Sequence, residues 1–554
     1  MPPPAWGEDE LVFLPLGGAG EIGMNLNLYG LAGKWLMVDL GITFADDSLP
    51  GIDIITPDPT FIAECREDLL AIVLTHAHED HLGAVPYLWP ALECPVYATP
   101  FAAAVLRGKL REHGLLDAVP LHEVPLGGSL RLGPFELEFI SITHSIPEPN
   151  ALAIHTALGT VLHTGDWKLD PTPLVGCVTD EAALRALGEA GVLAMVCDST
   201  NVFVDGESGS EASVRESLDR LIAGRRGRIA VSTFSSNIAR IKTVAAVAAT
   251  HGRHLVVVGR SLKRLIQAAR ETGYMDDFGP ALEESDGGYL PPESVLYLCT
   301  GCQGEPRGAM ARIAAGEHSQ VTLGQGDLAI FSSKVIPGNE RPIDHMQELL
   351  RAAGVEVISE RGHFVHVSGH PCRDELTRMY EWVRPAIAVP VHGERRHLAA
   401  HAQLANELQI GRAVVAHNGQ MLRLAPGDAE IIGEVQSGRW YRDGELLIEA
   451  GAEAIKERRR LMYNGTAMVT LVLDSRGEMM APPALMLQGI PGDNGDGRLD
   501  EMVEDAIEEA LARLSRGARR DDERVEEAVR IATRQALRRT SGKRPVVAAR
   551  VVRI

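Results

Sequence analysis

Through the first 200 residues, short apolar or alternating runs lie at 11–16, 35–39, 71–75, 135–143 and 160–163. Turns rich in Gly, Pro and Asp separate them, and this pattern predicts strands joined by turns. Near residue 210 the rhythm changes. Apolar runs at 229–233, 254–259, 295–301, 327–333 and 355–360 alternate with segments of helical period at 237–250, 261–272, 307–315 and 343–353. Such alternation predicts a parallel α/β sheet. A histidine-rich turn, a helix over 373–383 and a buried strand over 386–391 follow. Residues 441–465 read as a linker, and the remainder predicts strands at 469–474 and 484–490, charged helices at 499–515 and 523–541, and a strand at 545–554. That last set forms a compact α+β module.

Composition changes this picture little. The chain has 554 residues, 45% hydrophobic and 23% charged, which excludes collagen-like, coiled-coil and wholly disordered classes and predicts three or four domains. Seven cysteines (65, 94, 177, 197, 299, 302 and 372) lie mostly in apolar runs and predict free thiols in a reducing compartment. Neither a leader pattern nor an apolar run of membrane-spanning length occurs, so the expectation is a cytoplasmic protein with no membrane partner. The net charge of −21 argues, at face value, against a polyanionic ligand.

Three motifs carry candidate chemistry. Gly18-Ala-Gly20-Glu-Ile-Gly23 follows a strand and has Asp39 downstream, the formal dinucleotide fingerprint. That mechanism needs a helix N-terminus after the glycines. Residues 25–29 alternate instead, so tight turns are expected and no pyrophosphate site. Cys299-Thr-Gly-Cys302 is a CxxC pair with no second pair to complete a zinc site, leaving a redox role as the alternative to a plain turn. The third motif, Thr75-His76-Ala-His78-Glu-Asp80-His81, stands at the end of a strand. Four imidazole and carboxylate ligands so close together suit first-row transition metals, and they cannot all face one ion, so two adjacent ions are expected. His144, Asp166 and His392 also follow apolar strands directly. Together they predict a dinuclear set: His76, His78 and His144 around one ion, Asp80, His81 and His392 around the other, and Asp166 between.

These residues resemble the metallo-β-lactamase superfamily, which implies an αββα sandwich with two metals at one sheet edge and Asp39 orienting a ligand histidine. The ligands at 76–166 and 392 are separated by a domain-sized α/β unit. That arrangement is similar to the β-CASP nucleases, with Asp198 in CDST, His370 in HVSGH and His392 in PVHG as the group's further motifs. LGGAGEIGMN, GIDIITPD, TFSSNIAR, CTGCQGEPRGAM and HVSGHPCRDEL resemble bacterial ribonuclease J, a likeness that runs through the terminal module. It implies a metallo-β-lactamase domain over 1–208 and 359–440, a β-CASP insertion over 209–358, the linker at 441–465 and a C-terminal domain over 466–554.

The resemblance also implies an activity: metal-dependent hydrolysis of single-stranded RNA, 5′-to-3′ from a 5′-monophosphate and also internally, in RNA maturation and decay. Two divalent ions, zinc or manganese, would supply the hydroxide, with Asp80, Asp198 and His370 as catalytic residues. Ser235, Ser236 and Asn237, together with His366, Val367, Ser368, Gly369 and His370, would hold a nucleotide phosphate; the residue-level alternative for the first three is simple N-capping. A structural calcium is implied at Gly51, Asp53 and Asp443, for which ordinary turn aspartates are the alternative. A homodimer formed through the terminal module and RNA-degradation partners are implied as well. A DNA nuclease of the same architecture, a small-molecule hydrolase and a non-catalytic RNA-binding protein stay open from the residues alone.

Charge then reads differently. Residues 511–554 carry +8, leaving −29 on the rest. The basic clusters Arg225-Arg226-Gly-Arg228 and Arg260-Ser-Leu-Lys263-Arg264 lie in the insertion. They predict a narrow basic channel for RNA and a modest salt dependence.

Overall fold

The computed structural model describes residues 6–46, 48–336, 338–491 and 498–554. The chain divides into two compact units, one of Met1–Thr43 with Thr56–Arg439, the other of Phe44–Ile55 with Trp440–Ile554.

In the first unit two sheets face each other. One orders Glu430–Glu434, Gln420–Ala425, Leu11–Gly17, Leu26–Leu31, Lys34–Val38, Leu69–Val73, Val96–Ala98 and Leu121–Glu123; the other orders Ser129–Leu132, Phe135–Ser141, Asn150–Thr156, Gly159–His163, Ala194–Asp198, Ile387–Val391 and Arg412–Ala413. Period-two patterning makes this a sandwich. Leu11, Phe13, Leu36 and Val38 meet Phe135, Leu137, Phe139, Val196, Val389 and Val391 in one buried core. The intervening positions Ile140, Ala153, Met195 and Ala388 turn outward onto helices, packing against Leu184, Leu187, Leu376, Met379 and Leu404. Each fully buried Leu or Phe in these layers contributes about 1.5–3 kcal/mol. The result is the expected αββα arrangement, mixed α/β.

The predicted parallel unit is a five-stranded sheet ordered His254–Val258, Val295–Cys299, Ile229–Ser232, Leu328–Phe331 and Glu356–Ile358, with every pair parallel. It lies between sandwich strands Ala194–Asp198 and Ile387–Val391, which pair directly in parallel register. Removing the insertion would therefore leave those two strands adjacent. Glu375, fully buried, ties the crossing points: its carboxylate accepts from Leu169 N, the Ser208 N and Oγ, and Cys372 N, all at 2.7–2.8 Å.

Two expectations need correction. Residues 441–465 are not a linker: strand Arg439–Asp443 pairs with Leu446–Glu449, and helix Glu453–Asn464 follows. That helix buries only Ile455, so its polar surface resembled linker composition. Residues Phe44–Ile55 join the second unit, although they follow sandwich strands in the chain. The terminal module itself has the expected elements, a sheet ordered Ala484–Gln488, Thr466–Leu473 and Val546–Arg553 with helices Arg498–Arg513 and Asp522–Ser541. Among the described residues, no helix is long and apolar enough to cross a membrane.

Candidate metal centre

Strand Leu69–Val73 ends just before Thr75, and the chain then turns into the short helix Glu79–Leu82. This places His76, His78, Asp80 and His81 on one rim of the sandwich. His144 follows Phe135–Ser141, Asp166 follows Gly159–His163, and His392 follows Ile387–Val391. The structure brings all seven together. Donor atoms of His76, His78, His144 and Asp166 lie within 4.8 Å of one another, as do those of Asp80, His81, Asp166 and His392.

The hydrogen bonds behind the rings decide how the nitrogens point. Asp39, at φ +65°, accepts from Thr75 N (2.8 Å), Thr75 Oγ1 (2.8 Å) and His81 Nδ1 (2.7 Å). Because the Thr75 hydroxyl donates to Asp39, it accepts from His76 Nδ1 at 3.0 Å. His392 Nδ1 donates to Asn25 Oδ1 (3.0 Å), and His144 Nδ1 donates to the Gly369 carbonyl. In each of these four rings Nδ1 carries the proton, leaving Nε2 as a lone pair aimed at the centre. His78 faces inward through Nδ1, 3.0 Å from both His76 Nε2 and His144 Nε2. His392 Nε2 and Asp166 Oδ1 are buried with no hydrogen-bond partner among the described residues.

Converging lone pairs repel, and orphaned buried polar atoms cost free energy, so this donor set fits divalent cations. Nitrogen and carboxylate oxygen are ligands for zinc and manganese alike. Electrostatics agree for three of the rings, whereas at His81 the carboxylates of Asp166, Asp80 and Asp39 outweigh burial and raise the imidazole well above its ordinary value. Burial, reinforced by His81 and His78, holds His76 well below the usual imidazole range, and burial takes His78 down to about 4 and His144 well below its ordinary value. Neutral imidazoles are what metal ligation requires. Burial raises the Asp166 carboxyl, but His392, His81 and His370 outweigh it and hold the group ionised.

Beside this cluster His370 Nδ1 lies 2.8 Å from Asp198 Oδ2. Burial opposes its charge, yet Asp198 and Asp166 raise it to about 9. Asn201, which the sequence did not single out, donates to Ser368 Oγ (2.6 Å) and to the His370 carbonyl (3.0 Å). Gly369 has no room for a side chain, since a Cβ there would stand 2.8 Å from His144 Cε1. Asn25 also escaped the sequence reading; its position just past the Gly18–Gly23 turns was the available signal.

Profiles of four families match the chain: "Ribonuclease J, beta-CASP domain" over 226–350, "Ribonuclease J C-terminal domain" over 453–554, "Zn-dependent metallo-hydrolase RNA specificity domain" over 338–415 and "Metallo-beta-lactamase superfamily" over 25–232. Ribonuclease J of Sinorhizobium meliloti is 46% identical over 552 residues, 99% of this chain and 98% of that one. The chain belongs to the ribonuclease J family. The Mycolicibacterium smegmatis ribonuclease J is 38% identical over 98% of this chain and 96% of its own, and ribonuclease J 1 of Streptococcus pyogenes is 38% identical over 87% and 86%. A solved structure, a protein of unknown function from Enterococcus faecalis, shares the fold at TM-score 0.51 and 15% identity, covering 75% of this chain and all of its own.

Other expected ribonuclease J residues fare unevenly. The Asn237 side chain is engaged within the fold: its Oδ1 caps helix Ile238–Thr250 by accepting from Arg240 N, and its Nδ2 donates to buried Glu211. Ser235 and Ser236 are half-buried, Val367 is buried, and His366 Nδ1 is buried without a partner. At the residues expected to hold calcium, a cation would have to compete with a guanidinium. Asp443 Oδ2 is ion-paired with Arg458 at 2.6 Å, and the same guanidinium lies against Gly51. Both thiols of the CxxC pair are buried, which pushes Cys299 well up and Cys302 to about 12, so neither offers a thiolate for redox chemistry. Residues 18–23 lead into strand Leu26–Leu31, with no helix to serve a dinucleotide.

Proposed function

We propose that this family member is a metal-dependent ribonuclease acting on single-stranded RNA in the cytoplasm, as a homodimer, 5′-to-3′ from a 5′-monophosphate and also internally. The observation that carries the reading is the pair of four-residue clusters sharing Asp166, with the Asp198–His370 pair alongside. His76, His78, His144 and Asp166 would hold one zinc or manganese ion, and Asp80, His81, His392 and Asp166 the other. Bound there, two divalent ions lower the pKa of water and polarise a phosphoryl oxygen.

The chain's own residues do the rest. Asp39 through His81 and Asn25 through His392 fix which ring nitrogen faces inward. Asp198, whose carboxylate engages Nδ1 at 2.8 Å, favours the charged form of His370, and its Nε2 is the atom that hands a proton to the departing oxygen. His366 is unsuited to that role, because burial and the neighbouring cations Arg240, Lys334 and Lys168 keep it neutral. Ser235 and Ser236 have hydroxyls to offer a terminal phosphate, as does the His366–Gly369 segment its backbone.

Digestion of 5′-monophosphate, 5′-triphosphate and 5′-hydroxyl RNAs beside matched DNA, with products mapped by length, tests this. Mononucleotides released from the monophosphate RNA first, and little from DNA, is the expected result. Failure to release mononucleotides from any RNA overturns the exonuclease reading.

A further inference from the structure

The basic clusters expected to hold RNA are largely neutralised. Arg225 pairs with Glu356, Arg228 with Asp327 (3.9 Å), Lys263 with Glu283 (2.7 Å) and Arg264 with Glu112 (2.6 Å). Three other cations face His366. Arg240 is buried and paired with Glu211 at 3.0 Å. Lys168 is buried, 3.6 Å from Asp170, and donates to the Gly209 carbonyl at 2.7 Å. Lys334 differs from both. It is exposed, and among the described residues its ammonium meets no carboxylate, only Asn201 Oδ1 at 3.3 Å.

Its setting is that of a binding residue. Lys334 stands three residues past strand Leu328–Phe331, at the carboxyl end of the parallel sheet, where α/β sheets bind ligands. Gln303 fixes the backbone on both sides, donating to the Lys334 carbonyl (2.8 Å) and accepting from Ile336 N (3.0 Å). Through Asn201, which also holds Ser368 Oγ and the His370 carbonyl, the ammonium is one side chain removed from the Asp198–His370 pair. An amide oxygen is a weak partner for an ammonium, and a phosphate oxygen would displace it with a charge-assisted bond.

We infer that Lys334 is a cationic phosphate-binding residue of the inserted domain, gripping the RNA backbone beside His370 where the paired cations of the two arginine-rich clusters do not. This rests on the ribonuclease reading above. The test is Lys334→Met in the full-length, metal-loaded enzyme, with Lys334→Arg as charge rescue and Lys242→Met, whose lysine is paired with Asp277, as control. Binding of a short 5′-monophosphorylated RNA with uncleavable phosphorothioate linkages is followed by anisotropy against salt, and KM and kcat are measured on the cleavable RNA. Lys334→Met should weaken binding about tenfold and reduce the salt slope by about 0.7, the share of one single-strand phosphate. KM should rise with kcat largely kept, and Lys334→Arg should recover most of the loss. Unchanged affinity and slope in Lys334→Met, with wild type binding RNA normally, overturns the assignment. A wild type that neither binds nor cuts RNA overturns the ribonuclease reading first, and this inference with it.

Discussion

Two places in this chain were expected to hold cations, and they are built in opposite ways. At the sandwich rim, seven ligand-type side chains converge, four rings have their outer nitrogens protonated by fixed acceptors, and His392 Nε2 and Asp166 Oδ1 are left buried without hydrogen-bond partners among the described residues. At the Gly51 turn, the Asp443 carboxylate already has a counter-charge: Arg458 lies 2.6 Å away, with side chains 38% and 20% exposed. The difference teaches what distinguishes a metal site from a polar turn. Carboxylates near one another are common; uncompensated lone pairs held in place by a protonation pattern are not.

The comparison can be broken most sharply at His76. His76→Ala should reduce RNA cleavage by at least about 10³-fold and lower the bound metal in elemental analysis, because the lost Nε2 belongs to one full cluster. Retention of two ions and of activity would collapse the first half of the contrast. Asp39→Asn acts one step further out. It removes the acceptor that fixes His81 and Thr75, and metal affinity should fall about 10–100-fold in competition with a chelator. Ser235→Ala with Ser368→Ala should cost exonuclease action about tenfold and internal cutting less; equal loss of both would remove the 5′-phosphate pocket from the picture. The smallest effect belongs to the turn. Added calcium should leave the melting temperature of the wild type unchanged, and Arg458→Ala should cost no more than about 1 kcal/mol, as expected of a part-exposed ion pair. A calcium-dependent rise in wild-type stability would erase the contrast from the other side.

Much of this was legible along the chain, for identifiable reasons. Strand Phe135–Ser141 alternates buried and less buried positions along much of its length and Leu11–Gly17 is apolar and buried throughout, so both read as strands, and the ligands sit in turns after strands of these kinds. What escaped has a common cause. Asn25, Asn201 and Lys334 act through partners 167 to 367 residues away or across a domain crossing, and a single amide or ammonium leaves no periodic trace. Asn237 takes the capping alternative that the sequence left open, because a cap and an anion site use the same residue types at the same position. The basic clusters misled for a related reason: counting arginines says nothing about Glu356, Asp327 or Glu112, which are remote in sequence and adjacent in space.

Gly369 has a consequence for how the enzyme is assembled. Its carbonyl receives the His144 proton, and its missing side chain leaves the space that ring occupies. The glycine belongs to the segment that returns from the inserted domain, so one proposed ligand is tuned by backbone that follows that domain in the chain. A change that loosens this crossing, such as Glu375→Gln, is therefore expected to weaken metal retention, and added metal to protect the returning segment against proteolysis.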